Sequence, residues 1–157
     1  MKNKKINITI NGQKHESTVS TKLLLLDFIR ENINMTGTKW GCLTGDCGAC
    51  TILLNGIPVN SCIILAVDAD DSEILTVEGL AKDGQLSQIQ KSFIEKGAAQ
   101  CGYCTPGFLI SSKYLLDKKP NPTEDEIRYQ LAGNLCRCTG YNKIVDAVID
   151  ASKKRSS

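Results

Sequence analysis

Apolar and polar residues alternate near the start of the chain, which is the pattern of a half-buried β-strand. Isoleucine occupies every second position across residues 6–10, and Asn11-Gly12, a pair typical of a type I′ turn, follows directly. A second extended stretch runs from there to about Val19. The chain therefore begins with a predicted β-hairpin.

The next apolar residues have the spacing of an amphipathic helix instead. They lie on one face of a predicted helix: Leu24, Leu25, Phe28 and Ile29. Ser20 or Thr21 is expected to cap this helix at its start, and the helix is expected to end near Asn32. The run of leucines is thus predicted to be core packing and not a membrane anchor.

A second hairpin signal follows after a cysteine-rich loop. Residues 51–54 and 57–65 are predicted strands around Asn55-Gly56, and residues 74–77 are predicted to form another short strand. These elements together predict a small mixed sheet that packs on one helix. The fold class of this half is therefore α+β.

Helical spacing dominates the second half of the chain. The apolar positions that predict helices there are Leu86, Ile89, Phe93 and Ile94, then Phe108, Leu109, Leu115 and Leu116, and finally Ile144, Val145, Val148 and Ile149. Thr123 and Glu126 form a capping box that opens a further helix through Leu131, and residues 152–157 are predicted to be a frayed tail. The change of pattern predicts two domains, residues 1–80 and 81–157.

Composition narrows the class of protein. Of 157 residues, 41% are hydrophobic and 23% are charged, as in ordinary soluble domains. The 19 basic residues are spread along the chain against 17 acidic ones, which argues against a nucleic-acid surface. No apolar run approaches the roughly 20 residues of a membrane span, and the start of the chain alternates where a signal peptide would be continuously apolar. We therefore expect a cytoplasmic protein.

Cysteine is the unusual residue, with eight copies beside a single histidine. In a reducing cytosol, thiols stay reduced, so metal ligands are favoured over disulfides. No side chain is predicted to be a catalytic acid, base or nucleophile.

The first group of cysteines has a distinctive spacing. Its members are Cys42, Cys47, Cys50 and Cys62, in the order C-x4-C-x2-C followed by a distant fourth, which is the ligand spacing of plant-type 2Fe-2S ferredoxins. Gly41, Gly45 and Gly48 would let the backbone wrap a cluster closely and point N–H groups inward. Cys62 is expected in the second strand of the hairpin. A four-cysteine zinc module is the competing interpretation, although the four-residue gap fits zinc less well.

The second group has a different spacing. Its members are Cys101, Cys104, Cys136 and Cys138, arranged as C-x2-C and C-x-C. Each pair precedes a predicted helix, whose free N–H groups and dipole suit an anionic cluster. This spacing is less diagnostic, so a structural zinc between helical hairpins stays open here.

Both motifs together resemble the small iron–sulfur subunit or domain of the molybdenum hydroxylases, the xanthine dehydrogenase and aldehyde oxidoreductase family. The resemblance rests on residues 41–50, Cys62, residues 100–107 and residues 134–141, in the family's order, and covers essentially the whole chain. It implies a β-grasp, ferredoxin-like 2Fe-2S domain over residues 1–80. It also implies a four-helix domain with a second 2Fe-2S cluster over residues 81–157.

The resemblance also implies a role and partners. Electrons would pass from molybdopterin through the second cluster to the first, and then to FAD or an external acceptor. Gln100 and Cys138 match positions that contact the pterin. Because the chain is too short for molybdenum or flavin domains, a large molybdopterin-binding subunit and a medium FAD-binding subunit are expected, in a dimer of heterotrimers. The substrate stays open.

Two other functions compete with this interpretation. A stand-alone ferredoxin-like carrier would use the same clusters without an obligate enzyme. A two-zinc interaction module would have no redox role and would be colourless.

Overall fold

The alternating isoleucines form a hairpin, as predicted. The computed structural model describes residues 2–155, and its first strands are β1 (Asn3–Ile10) and β2 (Gln13–Ser20), paired antiparallel. The three isoleucines of β1 are almost completely buried. Asn11 and Gly12 both have positive φ, 51° and 80°, as a type I′ turn requires.

The helix that follows is shorter than expected. Helix α1 (Leu25–Asp27) continues into a π-helical turn over Phe28–Asn32 and ends where predicted, but it begins after Leu24 and not at Ser20 or Thr21. The reason is that the preceding leucines are held extended. Leu24 pairs with Leu65 as an isolated bridge, and the backbone N–H of Leu25 donates to Ile64 (2.8 Å).

The second hairpin also departs from the prediction. Strands β3 (Thr51–Leu54) and β4 (Ile57–Asn60) pair antiparallel, and β4 ends at Asn60 where the pattern predicted a strand to residue 65. The chain turns instead through a 3₁₀ turn at Ser61–Ile63. Cys62 therefore lies in this turn and not in a strand, so that part of the prediction was wrong.

Strand β5 (Glu73–Leu75) joins the two hairpins into one sheet. The order of the five strands is β2-β1-β5-β3-β4, with β1 and β5 parallel and the other pairs antiparallel. The strand predicted at residues 74–77 thus begins one residue earlier and ends at Leu75, and a 3₁₀ turn (Val77–Leu80) follows it. The mixed sheet with one short helix confirms the α+β prediction.

The second half is helical, as predicted. Its helices are α2 (Gln88–Glu95), α3 (Thr105–Lys118), α4 (Glu124–Leu131) and α5 (Asn142–Arg155). The capping box at α4 is formed, because the Glu126 N–H donates to the Thr123 hydroxyl (3.3 Å) and the Thr123 N–H donates to the Glu126 carboxylate (2.8 Å).

The end of α5 corrects the prediction of a frayed tail from residue 152. The helix runs to Arg155, and Ser152 is buried with its hydroxyl donating to the Ile149 carbonyl (2.8 Å). Ser156 and Ser157 lie outside the described residues.

Two apolar cores lie side by side. One is formed under the sheet by the β1 isoleucines, Phe28 and Ile29, and the other lies among the helices around Phe108 and Phe93. Leu53 of β3 packs into the helical core, which fastens α3 against the sheet. Among the described residues, no helix is both long enough and apolar enough to cross a bilayer.

Candidate functional site

The first cysteine quartet lies where the π-helical turn leads through a loop into β3. Cys50 precedes β3 directly, and the β3–β4 hairpin brings Cys62 back to it. Ser61 fastens this return, because its N–H (3.3 Å) and its hydroxyl (2.8 Å) both donate to the Cys50 carbonyl. Residues far apart in sequence are thereby placed together.

Backbone N–H groups surround the sulfur of Cys42. Those of Thr44 (3.4 Å), Asp46 (3.3 Å) and Cys47 (3.4 Å) donate to Cys42 Sγ, and the Cys42 N–H donates to Cys47 Sγ (3.3 Å). Hydrogen bonding from the side chain and then the backbone of Thr44, followed by that of Cys47, lowers the pKa of the Cys42 thiol to about 6. This loop stabilises negative charge on sulfur, as a metal thiolate requires.

The other two cysteines of the quartet are buried. Cys50 and Cys62 are 2% and 4% exposed and pack against Leu26. Burial, with a further contribution from the neighbouring Cys62, raises the pKa of Cys50 to about 12. The quartet therefore consists of an outer pair, Cys42 with Cys47, and an inner pair, Cys50 with Cys62.

The glycines of this loop have the geometry that close wrapping needs. Gly45 and Gly48 have φ of 86° and 69°, a region that side chains disfavour. At Gly41 the constraint is space, since a Cβ there would lie 2.5 Å from Cys47 Sγ. Leu43 also has positive φ (59°), which the sequence pattern does not predict.

The second quartet lies among the helix ends, as its motifs predict. Cys104 is the residue before α3, Cys101 lies in the preceding turn, and the other two cysteines lie in the loop between α4 and α5. The sulfurs of Cys101 and Cys138 are 3.7 Å apart. Burial and then the Cys136 side chain raise the pKa of Cys104 to about 12, so those two thiols also lie side by side.

Each quartet is thus arranged as two pairs of sulfurs. In the part of the chain that the structure describes, no three histidine, cysteine or carboxylate side chains are gathered as the ligands of one metal ion would be. Two pairs suit a binuclear cluster, in which two thiolates bind each iron, and the inward N–H groups suit its negative sulfurs. The residues present therefore fit a 2Fe-2S cluster at both places.

Comparisons with known proteins agree with this geometry. Residues 8–81 match the family model of a 2Fe-2S iron–sulfur cluster binding domain, and residues 76–149 match that of a [2Fe-2S] binding domain. The chain is 51% identical to the nicotinate dehydrogenase small FeS subunit of Eubacterium barkeri over 91% of each chain.

Solved structures show the same fold. Quinoline 2-oxidoreductase from Pseudomonas putida 86 matches with a TM-score of 0.95 and 43% identity, over 98% of this chain and 96% of that chain. The chain belongs to the small iron–sulfur subunits of the molybdenum hydroxylases. The aldehyde oxidoreductase of Desulfovibrio desulfuricans matches with a TM-score of 0.93 and 40% identity over 97% of this chain but 17% of its own.

As an iron–sulfur subunit of this family, the chain has an N-terminal ferredoxin-like domain and a C-terminal helical domain, each binding one 2Fe-2S cluster. It is an electron-transfer subunit of an oxidoreductase, so the recognition, the fold class and the general function predicted from the sequence are confirmed. The zinc-module alternative is not supported.

Two residues of this iron–sulfur subunit were not predicted to act at the second quartet. The N–H (3.4 Å) and the hydroxyl (3.1 Å) of Thr139 both donate to Cys136 Sγ, and the Cys136 N–H donates to the Tyr141 hydroxyl oxygen (3.1 Å). Burial opposes charge on Cys136, but the hydrogen bonds from Thr139 outweigh it, and the pKa of this thiol is lowered. The signal was a hydroxyl directly after the C-x-C motif.

The subunit brings its two cysteine loops into direct contact. The backbone N–H of Leu135 donates to the carbonyl of Cys47 (2.9 Å), which joins a residue beside Cys136 to a residue of the first quartet. Gln100, predicted to contact a pterin, is exposed beside the exposed Cys101, and Cys138 is exposed as well.

Proposed function

We propose that all eight cysteines are cluster ligands. The first cluster would be held by Cys42, Cys47, Cys50 and Cys62, and the second by Cys101, Cys104, Cys136 and Cys138. The observation that carries this assignment is the pairing of sulfurs, illustrated by the 3.7 Å between Cys101 and Cys138. Gly41, Gly45 and Gly48 would serve the first cluster through their backbone, because the loop there has little room for a Cβ.

The domain boundary is proposed at residue 80, between residues 1–80 and 81–157. Two separate apolar cores support this division. Leu80, at the boundary, packs with the helical core, as does Leu53 from the sheet, so we propose that the two domains meet through an apolar contact.

The relay is proposed to run from a molybdopterin centre to the second cluster, then to the first, and on to FAD or an external acceptor. The exposure of Gln100, Cys101 and Cys138 supports a pterin-bearing partner at the second site. At the first site, Leu43 (51% exposed) follows the exposed Cys42, and Ile63 (60% exposed) lies against Gly45 of the same loop. These two side chains would provide an apolar rim for the acceptor partner.

The partners are proposed to be a large molybdopterin-binding subunit and a medium FAD-binding subunit, assembled in the cytoplasm as a dimer of heterotrimers. The 51% identity to a protein named as the small FeS subunit of nicotinate dehydrogenase supports larger partner subunits. The names of the nicotinate and quinoline enzymes favour an N-heteroaromatic substrate for the complex.

The test is anaerobic purification of the chain with any partners that accompany it, followed by metal and sulfide analysis and EPR spectroscopy after reduction with dithionite. We expect two irons and two sulfides for each of two clusters, two distinct EPR signals, and molybdenum and flavin in a co-purifying complex. Zinc in place of iron, even after reconstitution, would overturn the assignment. A chain that carries both clusters but purifies alone would favour the stand-alone carrier.

Single ligand variants sharpen this test. Cys62→Ser is expected to remove the EPR signal of the first cluster and keep that of the second, and Cys136→Ser is expected to do the reverse. Loss of both signals in either variant after normal folding would contradict the division into two quartets.

A further inference from the structure

The side chain of Asn134 lies buried between the two cysteine loops. It is 4% exposed, and both its amide nitrogen and its oxygen make hydrogen bonds. Its Nδ2 donates to the Gly48 carbonyl (3.0 Å) and to the Thr51 hydroxyl oxygen (3.3 Å), and its Oδ1 accepts from the Ser111 hydroxyl (2.7 Å). One amide thus joins the first loop, the start of β3 and helix α3.

The direction of each hydrogen bond in this network is determined. The Gly48 carbonyl can only accept, so the amide nitrogen must face it. The Thr51 hydroxyl gives its proton to the same carbonyl (2.7 Å), so it accepts from Asn134, and Ser111 must donate to Oδ1. A carboxylate of the same shape at residue 134 could not donate to the Gly48 carbonyl.

The network connects the two quartets, because its residues lie close to cysteines of both in the sequence. Gly48 lies between Cys47 and Cys50, whereas Asn134 is two residues before Cys136. The next residue, Leu135, adds the hydrogen bond to the Cys47 carbonyl. Two consecutive residues of the second loop therefore fasten it to the first.

The surrounding backbone leaves no room for adjustment. A Cβ on Gly107 would lie 2.1 Å from the Gly48 carbonyl oxygen, and a Cβ on Gly48 would lie 2.4 Å from the Gly133 carbonyl oxygen. The first loop comes this close to the second loop and to helix α3 only because Gly48 and Gly107 are glycine. Such close packing needs a specific polar contact to hold it in one register, and Asn134 supplies that contact.

We propose that Asn134 is a positioning residue that sets the distance and relative orientation of the two iron–sulfur clusters, and thereby the rate of electron transfer between them. This inference rests on the proposed ligand assignment. Electron tunnelling falls exponentially with distance, so a residue that fixes the separation of the loops controls the rate without touching either cluster.

The test compares three variants of the full chain carrying both clusters. Asn134→Asp keeps the shape and removes the donor. Ser111→Ala removes only the bond that orients the amide. Asn60→Asp is the matched control, because the Asn60 amide donates to the same first loop at Gly45 (2.6 Å) from the end of β4, and an aspartate there still offers an oxygen to the Thr51 hydroxyl (3.4 Å).

The decisive readouts are the magnetic interaction between the reduced clusters in EPR spectra and the rate at which an electron, introduced by flash photoreduction, redistributes between the two signals. We expect Asn134→Asp to weaken the interaction and to slow redistribution several-fold, with iron content retained. Ser111→Ala should give a smaller change in the same direction, and Asn60→Asp should remain near wild type.

The possible outcomes distinguish a failure of the proposed function from a failure of the role proposed for Asn134. Wild-type chain without two cluster signals would defeat the proposed function itself. With both signals present, an unchanged interaction in Asn134→Asp and Ser111→Ala, or an equal change in Asn60→Asp, would overturn the role of Asn134. If Asn134→Asp fails to retain iron, Ser111→Ala decides, since it introduces no charge.

Discussion

Both cysteine quartets stabilise negative charge on sulfur, but they do so with different hydrogen-bond donors. At the first, backbone N–H groups of Thr44, Asp46 and Cys47 donate to the sulfur of Cys42. At the second, Cys136 receives one N–H and one hydroxyl from the single residue Thr139. The first site therefore depends mainly on backbone shape, with the Thr44 side chain as a further contributor, whereas the second site receives both donors from one residue.

This difference has a consequence for substitutions. Backbone N–H donors are kept when a side chain is replaced. The loop conformation that directs them at the sulfur is, however, easily disturbed when a glycine gains a Cβ. A side-chain donor is lost when its residue is replaced, and the Thr139 hydroxyl also accepts the Tyr141 N–H (3.2 Å) just before α5. The two sites should thus be sensitive to different kinds of mutation.

The largest effect is expected for Gly48→Ala in the first loop. The new methyl group would meet the Gly133 carbonyl oxygen at 2.4 Å and the residue would keep a φ of 69°, so strain and overpacking together should destabilise the protein by about 3 kcal/mol or more. Loss of iron from the first cluster should accompany a lower midpoint of thermal unfolding.

Gly56→Ala is the matched control. Gly56 also has positive φ (78°), but nothing lies within 4 Å of its Cβ position. It should lose only about 1 kcal/mol, from backbone strain alone, and keep all its iron. If both variants lost the same stability and the same amount of iron, the positive φ and not the contact between the loops would determine the effect.

An effect of intermediate size is expected for Thr139→Val at the second site. The hydroxyl donates to Cys136 Sγ, and this bond favours the reduced, more negative cluster. Losing it should lower the reduction potential of the second cluster by about 40 mV, the one-electron equivalent of about 1 kcal/mol. A redox titration followed by EPR measures both clusters in one sample.

Thr139→Ser keeps the hydroxyl and should restore most of that potential, while the first cluster should be unchanged in both variants. A shift of the first cluster as large as that of the second would show that the substitution disturbs the contact between the loops and not one hydrogen bond.

Sequence spacing predicts the two cysteine quartets as cluster ligands because most of each motif is local. The C-x4-C-x2-C loop and the helix-preceding pairs carry their chemistry within a few residues. Apolar spacing, together with turn and capping signals, located β1 to β5 and α1 to α5, though not the 3₁₀ turns between them. Cys62 was assigned to a strand because residues 57–65 look uniformly extended. The turn that holds it depends on hydrogen bonds from Ser61 to Cys50, which no local pattern records.

Contacts between the two halves could not be predicted for the same reason. Asn134 meets Gly48 across 86 positions of sequence, and its polar character alone is typical of any loop residue. The late start of α1 has a similar cause, since Leu24 is held by a bridge to Leu65. Tertiary packing, and not local propensity, decides these features.

The smallest effect is expected for Asp46→Asn in the first loop. Asp46 donates its backbone N–H to Cys42 Sγ, and its carboxylate accepts the Thr44 hydroxyl (2.5 Å). Asparagine keeps the backbone donor and an oxygen acceptor for Thr44 while removing an exposed negative charge. Removing the charge favours the reduced cluster, so the potential of the first cluster should rise by about 20 mV, as for two charges roughly 8 Å apart in water.

Salt distinguishes this effect from that of Thr139→Val. Exposed charges are screened within about 3 Å at 1 M ionic strength, so the shift in Asp46→Asn should nearly vanish there. The shift in Thr139→Val should persist, because a direct hydrogen bond to sulfur is not screened. A shift in Asp46→Asn that survived high salt would mean that the side-chain contact between Asp46 and Thr44, and not backbone shape, controls the first site, and the contrast between the two quartets would fail.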